Sequence, residues 1–276
     1  MMFLNDKIVA KATVFLYNLS MKTTSKIIRC DLHMHTNFSF DSQATMEQYA
    51  QRALEIGANV ICFTDHIDIN RRYNTFEGFQ FERRRDEFDR IRDEYCDRVK
   101  MLYGFEIGEP HLHPEVMEKV YEQQPDMIIG SVHDPLYHVG IDYIIPNLEY
   151  ERLYNECVCQ MVAHGGFDVL GHADMPKKYH RDYVEDFDYI AETLHLCVLK
   201  GIVPEINTSS LRNDVKDTMP SLKAIEHYVK CGGRYVVINS DSHTPESLCY
   251  ALEQTRAKLP NGARLCYFEN RKIVSL

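Results

Sequence analysis

Short runs of β-branched and other apolar residues alternate along this chain with longer stretches whose apolar positions recur every three to four residues. The first kind of run reads as strand and the second as helix. Seven strands are predicted, over 26–33, 59–64, 100–105, 127–132, 168–171, 202–206 and 235–240. An eighth apolar run, 264–268, closes or flanks their sheet. Helices fit between them. One begins at Thr45, where Gln48 completes a capping box, and ends at Gly57. The segment 81–99 is laced with charge, and Arg83, Arg84 and Arg85 stand beside Asp86, Glu87 and Asp89. That pattern predicts a solvated helix face held by i,i+4 pairs rather than a binding patch. Further helices are predicted over 113–123, 148–164, 184–200, 220–231 and 245–258, with Pro220 and Pro245 in their first turns.

Repeated strand–helix alternation implies parallel strands with helices outside. Seven such units point to a barrel or a distorted barrel, although a doubly wound open sheet shares the alternation. With no low-complexity linker in view, residues 26–276 read as a single domain preceded by an extension over 1–25. Its first twenty residues, MMFLNDKIVAKATVFLYNLS, are interrupted by Asp6, Lys7 and Lys11, so Met21 is the expected natural start rather than a signal peptide.

Composition narrows the function classes. At 276 residues with 45% apolar content the chain has enough material for one buried α/β barrel core. A net charge of −10 argues against phosphate-backbone binding, because nucleic-acid binders present a basic face. No apolar stretch reaches the roughly 18 residues that span a bilayer. Nine cysteines without a Cys-x-x-Cys pair, with Cys30, Cys62, Cys197 and Cys266 inside apolar runs, predict reduced thiols and a cytoplasmic location.

The 13 histidines carry the chemistry. His33 and His35 follow the run IIRCDL, His66 ends NVICFTDH, His133 ends MIIGSVH, His172 sits in DVLGHAD, and His243 follows YVVINSDS. Glu106 ends KMLYGFE by the same rule. Six histidines and a glutamate thus stand at the C-terminal ends of six predicted strands, which in a parallel barrel share one face. Imidazole and carboxylate together are the ligands of zinc, iron and manganese. His33 and His35, two apart, point to one side of their strand. His111 and His113 have the same spacing in EPHLHPE, but they follow a proline and open a helix, so they read as surface or helix-start residues. Asp41 and the Asp241/His243 pair become ligand candidates through the company they keep. Asp65, Asp134 and Asp174 adjoin or closely follow ligand histidines and are candidates to orient the rings.

Taken in order, DLHMHTNFSFDS, FTDH, GFEIGE, SVHD, GHAD, EINTS and NSDSH resemble the polymerase-and-histidinol-phosphatase (PHP) superfamily, from about Cys30 to Thr244. Within it the phrases SVHD, GHAD and EINTS are most similar to the bacterial histidinol-phosphate phosphatases. The resemblance implies a distorted (β/α)7 TIM-like barrel with its metal site at the C-terminal ends of the strands. It also implies three divalent metals, zinc, manganese or iron. His33, His35, Glu106 and Asp241 would hold the first, and Glu106 would bridge to a second completed by His133 and His172. Asp41, His66 and His243 would hold the third. Glu106, Asp241 and His243 are the residues assigned to catalysis.

The implied activity is hydrolysis of L-histidinol phosphate, in histidine biosynthesis, by attack of a metal-activated hydroxide on phosphorus. Three divalent ions outweigh the three carboxylates Asp41, Glu106 and Asp241, so a small phosphate monoester is drawn to the centre of an acidic protein. Lys178 and Arg212, on loops that rim this face, are the candidate phosphate contacts. Lys177, His180 and Arg181 are rivals, and His138 reads as structural. Another phosphate ester, such as a nucleotide, an oligonucleotide or phosphotyrosine, is the alternative within the superfamily. A metal-binding scaffold without turnover and an amide or lactone hydrolase are further alternatives. The complete ligand set disfavours the first of these, and the lack of a strand-end lysine disfavours the second.

Overall fold

A computed structural model describes residues 28–70, 74–141, 144–180, 182–213 and 215–276. The extension over 1–25, strand positions 26–27 and Arg181 lie outside them.

In chain order the strands are β1 (Cys30–Asp31), β2 (Val60–Phe63), β3 (His66–Ile67), β4 (Lys100–Gly108), β5 (Met127–Ser131), β6 (Val169–Leu170), β7 (Val203–Asn207), β8 (Tyr235–Asn239), β9 (Arg264–Glu269) and β10 (Lys272–Ser275). The helices are α1 (Met46–Ile56), α2 (Phe81–Tyr95), α3 (Pro114–Glu122), α4 (Pro135–His138), α5 (Asn147–His164), α6 (Phe187–Lys200), α7 (Leu222–Lys230) and α8 (Leu252–Arg256). Strands β1 and β2 pair in parallel, β2 and β3 both pair with β4, and parallel pairing continues through β5, β6, β7 and β8 to β9. The ends of this run come back together. Met34 and Ser242 form a parallel bridge, in which His35 N donates to Ser242 O at 2.8 Å and Ser242 N donates to His33 O at 3.1 Å. The result is a distorted TIM-like barrel of seven staves, one of them broken into β2 and β3. Strand β9 flanks it and pairs antiparallel with β10.

The staves follow a period of two, so alternate residues point inward. One apolar cluster holds Leu32, Val60, Cys62, Leu102, Met127, Ile129, Val169, Val203 and Val237, with Cys266 and Phe268 from β9. The intervening residues, such as Phe63, Met101, Tyr103, Ile128, Leu170, Ile206, Val236 and Ile238, join a second cluster with the helices. Inward columns change character toward the C-terminal end. Leu102 and Gly104 lead to Glu106, Ile129 and Ser131 to His133, Cys62 and Thr64 to His66, and Val237 and Asn239 to Asp241. Gly171 is required by crowding inside the barrel, since a Cβ there would strike the Ser131 hydroxyl and come within 2.8 Å of Ile129 Cγ2.

Helix α1 starts and stops as the sequence predicts, with Thr45 and Gln48 forming the reciprocal cap and Gly57 left-handed at φ 68°. Three expectations change. The stretch 245–258 is not one helix: after the single turn Pro245–Ser247, Cys249 and Ala251 take φ of 60° and 57°, and only Leu252–Arg256 continues as α8. Pro220 precedes the cap rather than entering the helix, because Ser221 caps α7 by accepting from Ala224 N. Arg84 is not on a solvated face. It is fully buried, and it donates from Nε to Asp65 Oδ2 at 2.6 Å and from Nη2 to the carbonyls of Phe63 and Gly104. Surface pairs do form further along the helix, Arg92 with Asp89 at 2.7 Å and Arg90 with Glu94 at 3.5 Å, whereas Arg83 donates to Gln80 and Arg85 lies over the Tyr103 ring.

Strand β10 escaped the sequence pattern because its turn, Asn270–Arg271, has positive φ at both residues without a glycine to announce it. The nine cysteines are free. Among the described residues, no helix is long and apolar enough to cross a membrane.

Candidate metal centre

Nine side chains singled out in the sequence converge at the C-terminal end of the barrel. His33 and His35 continue the line of β1, His66 opens β3, and Glu106 is the seventh residue of β4. His133 and His172 lie two residues beyond β5 and β6, and Asp241 two beyond β8. Asp41 and His243 close the mouth from their loops, with His243 Nε2 3.0 Å from Asp41 Oδ2. Asp241 takes φ 51°, a left-handed conformation that an aspartate adopts at a cost. The Arg212 guanidinium braces this turn by donating to the carbonyls of Ser240 at 2.6 Å and Asp241 at 2.8 Å.

Spacing within the cluster is that of ligands around an ion. Donors about 2.0–2.1 Å from a tetrahedral zinc stand roughly 3.3–3.4 Å from one another. His33 Nε2 is 3.1 Å from Glu106 Oε2, His35 Nε2 is 3.5 Å from the same oxygen, and His35 Nε2 is 3.3 Å from Asp241 Oδ1. The other Glu106 oxygen, Oε1, faces His133 Nε2 at 3.4 Å and His172 Nε2 at 2.9 Å. Asp41 Oδ2 is 3.5 Å from His66 Nε2. One carboxylate thus presents a different oxygen to each of two donor sets. His35 also belongs geometrically with Asp41, His66 and His243, and Asp68 with His66 and His133.

Several of these atoms are buried without a hydrogen-bond partner among the described residues: Nε2 of His33 and His35, Nδ1 of His66, Oδ2 of Asp68 and Oε2 of Glu106. Leaving such a group unpaired costs about 1–3 kcal/mol each, more for a charged one. Bound divalent cations would satisfy the His33, His35 and Glu106 atoms, so the donor set fits the implied metals, while His66 Nδ1 and Asp68 Oδ2 face each other at 3.4 Å. The charge states of the metal-free centre are divided, because nearby carboxylates hold the imidazoles of His33, His66 and His133 up against their burial and a bound cation would displace their protons. Burial, then His66 and His243, hold the His35 imidazole down to about 3, so it is neutral and able to ligate. Burial opposes ionisation of Glu106, but His33, His66 and His133 outweigh it and keep the carboxyl well below its ordinary range. Asp241 is likewise held down against its burial, by His33 and Lys178.

Two orienting carboxylates escaped the sequence reading. Glu205, fully buried on β7, sits 2.7 Å from His33 Nδ1 and accepts from Asn207 Nδ2, Asn239 Nδ2 and His172 N. Asp68 Oδ1 is 2.6 Å from His133 Nδ1. Gly108 makes room for it, since a Cβ there would overlap that same oxygen. A signal existed for Asp68, which alternates with His66 in HID. Glu205 stands out only once the inner face of β7 is known.

The three aspartates expected to orient rings do other work. Asp65 receives Arg84 and the Thr36 backbone and hydroxyl, Asp134 caps α4 through Tyr137 N, and Asp174 pairs with Lys177 at 2.7 Å. His111 and His113 stay outside the centre, at the entry to α3.

The centre opens into a cavity of 680 Å³ whose wall includes Phe40, Tyr150, Tyr179 and His180. Lys178 lines it, with Nζ 3.8 Å from Asp241 Oδ2. Lys177 is taken up by Asp174, Asp217 and Glu185, and His180 rests its Nδ1 on Glu151 at 2.8 Å.

The PHP domain model matches residues 31–209 of this chain. A protein of Clostridium acetobutylicum named probable histidinol-phosphatase is 31% identical, over 79% of this chain and 88% of its own length. One of the same name from Deinococcus radiodurans is 29% identical, over 88% of this chain and 98% of its own. The fold is similar to the crystal structure of a Lactococcus lactis histidinol phosphate phosphatase complexed with zinc, L-histidinol and phosphate. The TM-score is 0.77 at 21% identity, over 89% of this chain and 98% of that one.

Proposed function

This chain belongs to the PHP family, and on that premise we propose that it is a metal-dependent phosphatase converting L-histidinol phosphate to L-histidinol and phosphate, a cytoplasmic step of histidine biosynthesis. The observation that carries the reading is the convergence of nine candidate ligand side chains at one end of the barrel, seven of them lining a cavity of small-molecule size with His33 and His35 buried behind them. Relatives named probable histidinol-phosphatase, which match most of both chains, support this choice of substrate. The barrel unit is taken to run over residues 26–276, with three divalent ions, zinc, manganese or iron, at its mouth.

When bound, the metals supply Lewis acidity that activates water toward phosphorus and offsets the charge of the phosphoryl oxygens. The protein's own groups do the rest. His33, His35, Glu106 and Asp241 form the inner donor set, His133 and His172 share Glu106 with it, and Asp41, His66 and His243 form the outer one. Lys178 is, among the described residues, the cation nearest the donor set on the cavity wall and is assigned to the phosphate, exchanging its contact with Asp241 for a phosphoryl oxygen. Arg212, also assigned to phosphate from the sequence, contributes here mainly by bracing the Asp241 turn with two of its nitrogens. Asp241 and His243, 3.6 Å apart, hold or pass the proton released at the mouth, where His243 meets solvent.

The test is phosphate release from L-histidinol phosphate beside a nucleotide and an aryl phosphate, with zinc, manganese and iron each supplied. A strong preference for histidinol phosphate is expected. Equal or faster turnover of the others keeps the hydrolase and discards the pathway, and no turnover of any ester makes the protein a scaffold.

A further inference from the structure

Glu109 is used by none of the donor sets, yet it is completely buried and sits three residues beyond Glu106 on the same strand line. It takes φ 43°, a conformation that costs a non-glycine residue about 1–3 kcal/mol and persists only where the surroundings demand it. The consequence is a side chain turned back over the end of β5. Its Oε1 accepts from His133 N at 2.6 Å and from Asp134 N at 2.8 Å. Its own N–H donates to Ser131 O at 2.8 Å. Three bonds from one residue therefore tie the end of β4 to the end of β5. Its remaining oxygen, Oε2, faces His138 Nε2 of α4 at 3.4 Å, and neither atom has another hydrogen-bond partner among the described residues.

These two strand ends carry the shared carboxylate Glu106 and the imidazole His133. Asp68 already fixes the rotation of the His133 ring through Nδ1. What that contact leaves free is the position of the backbone from which the ring projects, because His133 lies beyond the last ladder pair, Gly108 with Ser131. We propose that Glu109 is a positioning residue, setting the distance between Glu106 and His133 by clamping the His133–Asp134 backbone and so tuning the affinity of the metal these two ligands share. This rests on the metal-dependent reading of the centre. It needs only an acceptor oxygen at Oε1, not the negative charge.

The experiment titrates metal-free protein with zinc against a competing chelator, for the wild type, H133A, E109A and E109Q, with thermal unfolding of each metal-free protein alongside. H133A identifies which zinc equivalent depends on His133, whatever the total count. In E109A that same equivalent should weaken by roughly 10–100-fold, the usual cost of losing a partner behind a ligand, with the others within a few-fold of wild type. E109Q keeps an amide oxygen for the two N–H groups and should stay close to wild type, which also guards against an alanine variant that fails to fold.

Unchanged affinities in folded E109A overturn the proposal, as does equal weakening of every equivalent, which is general loosening. E109Q behaving like E109A overturns it too, since the charge would then be the active element. A wild type that takes up fewer than three equivalents counts instead against the three-metal reading. The match between E109A and H133A still decides the role of Glu109.

Discussion

The lower and upper halves of the barrel interior are built from the same strands at the same two-residue period, and they are held together by opposite means. Below, Leu102, Ile129, Val169, Val203 and Val237 fill the barrel with apolar contacts and leave no polar group to satisfy. Two to four residues further along, the same columns deliver Glu106, Ser131, Glu205, Asn239 and Asp241, all buried. The lower half gains free energy by excluding water. The upper half spends it, burying carboxylates and imidazoles whose facing atoms lack partners. A dry floor under a polar cluster keeps the low dielectric that strengthens ligand–ion attraction. The difference teaches that stability and function are layered along each strand rather than divided between domains.

The contrast is broken most severely at Glu106. E106Q removes the shared carboxylate and is expected to lower turnover by roughly 10³-fold or more, with loss of bound metal by elemental analysis. Normal metal content with retained activity would overturn its assignment. Below it, I129A should leave metal stoichiometry intact in the folded protein and cost roughly 2–5 kcal/mol of stability in urea unfolding. If I129A lost metal before it lost stability, the two halves would not be separable.

The middle layer gives a finer test. E205Q keeps the shape but weakens the hold on His33 Nδ1, so zinc affinity should fall by roughly 10–100-fold with a small change in apo stability. Outside both halves, His111 serves as a control. Burial pushes its imidazole down to about 4, below its ordinary 6.5, so the fold prefers it neutral. The unfolded chain then binds the extra proton first as pH falls, and stability drops between about pH 6.5 and about pH 4. H111Q should flatten that part of the profile slightly, measured as the difference in melting temperature from wild type at each pH, with zinc uptake unchanged.

Much of this arrangement was legible along the chain. Strand ends could be recognised because an apolar run that stops in His, Glu or Asp is a strong local signal, as in NVICFTDH and KMLYGFE. The cap of α1 and the exclusion of His111 and His113 followed from local chemistry alone. Less local features were misread. Arg84 has the same sequence surroundings as Arg83 and Arg85, and only the packing of α2 against β2 and β4 shows that it is the one turned inward. Asp65, next to His66, looks like a ring partner until its strand direction points it at Arg84 instead.

By itself, the sequence determined the alternation of strands and helices, the inventory of candidate ligands and their common end of the barrel. Each of these depends on periodicity and on residue type, which are local. Only the tertiary structure decided which oxygen of Glu106 faces which histidines and which carboxylates stand behind the rings. It alone showed that the stretch past β8 returns to the line of β1 to close the barrel. Those are distances between residues as far apart as His33 and Glu205 or His35 and Ser242. They are set by barrel register and by the packing of whole layers, which no single segment of the chain encodes.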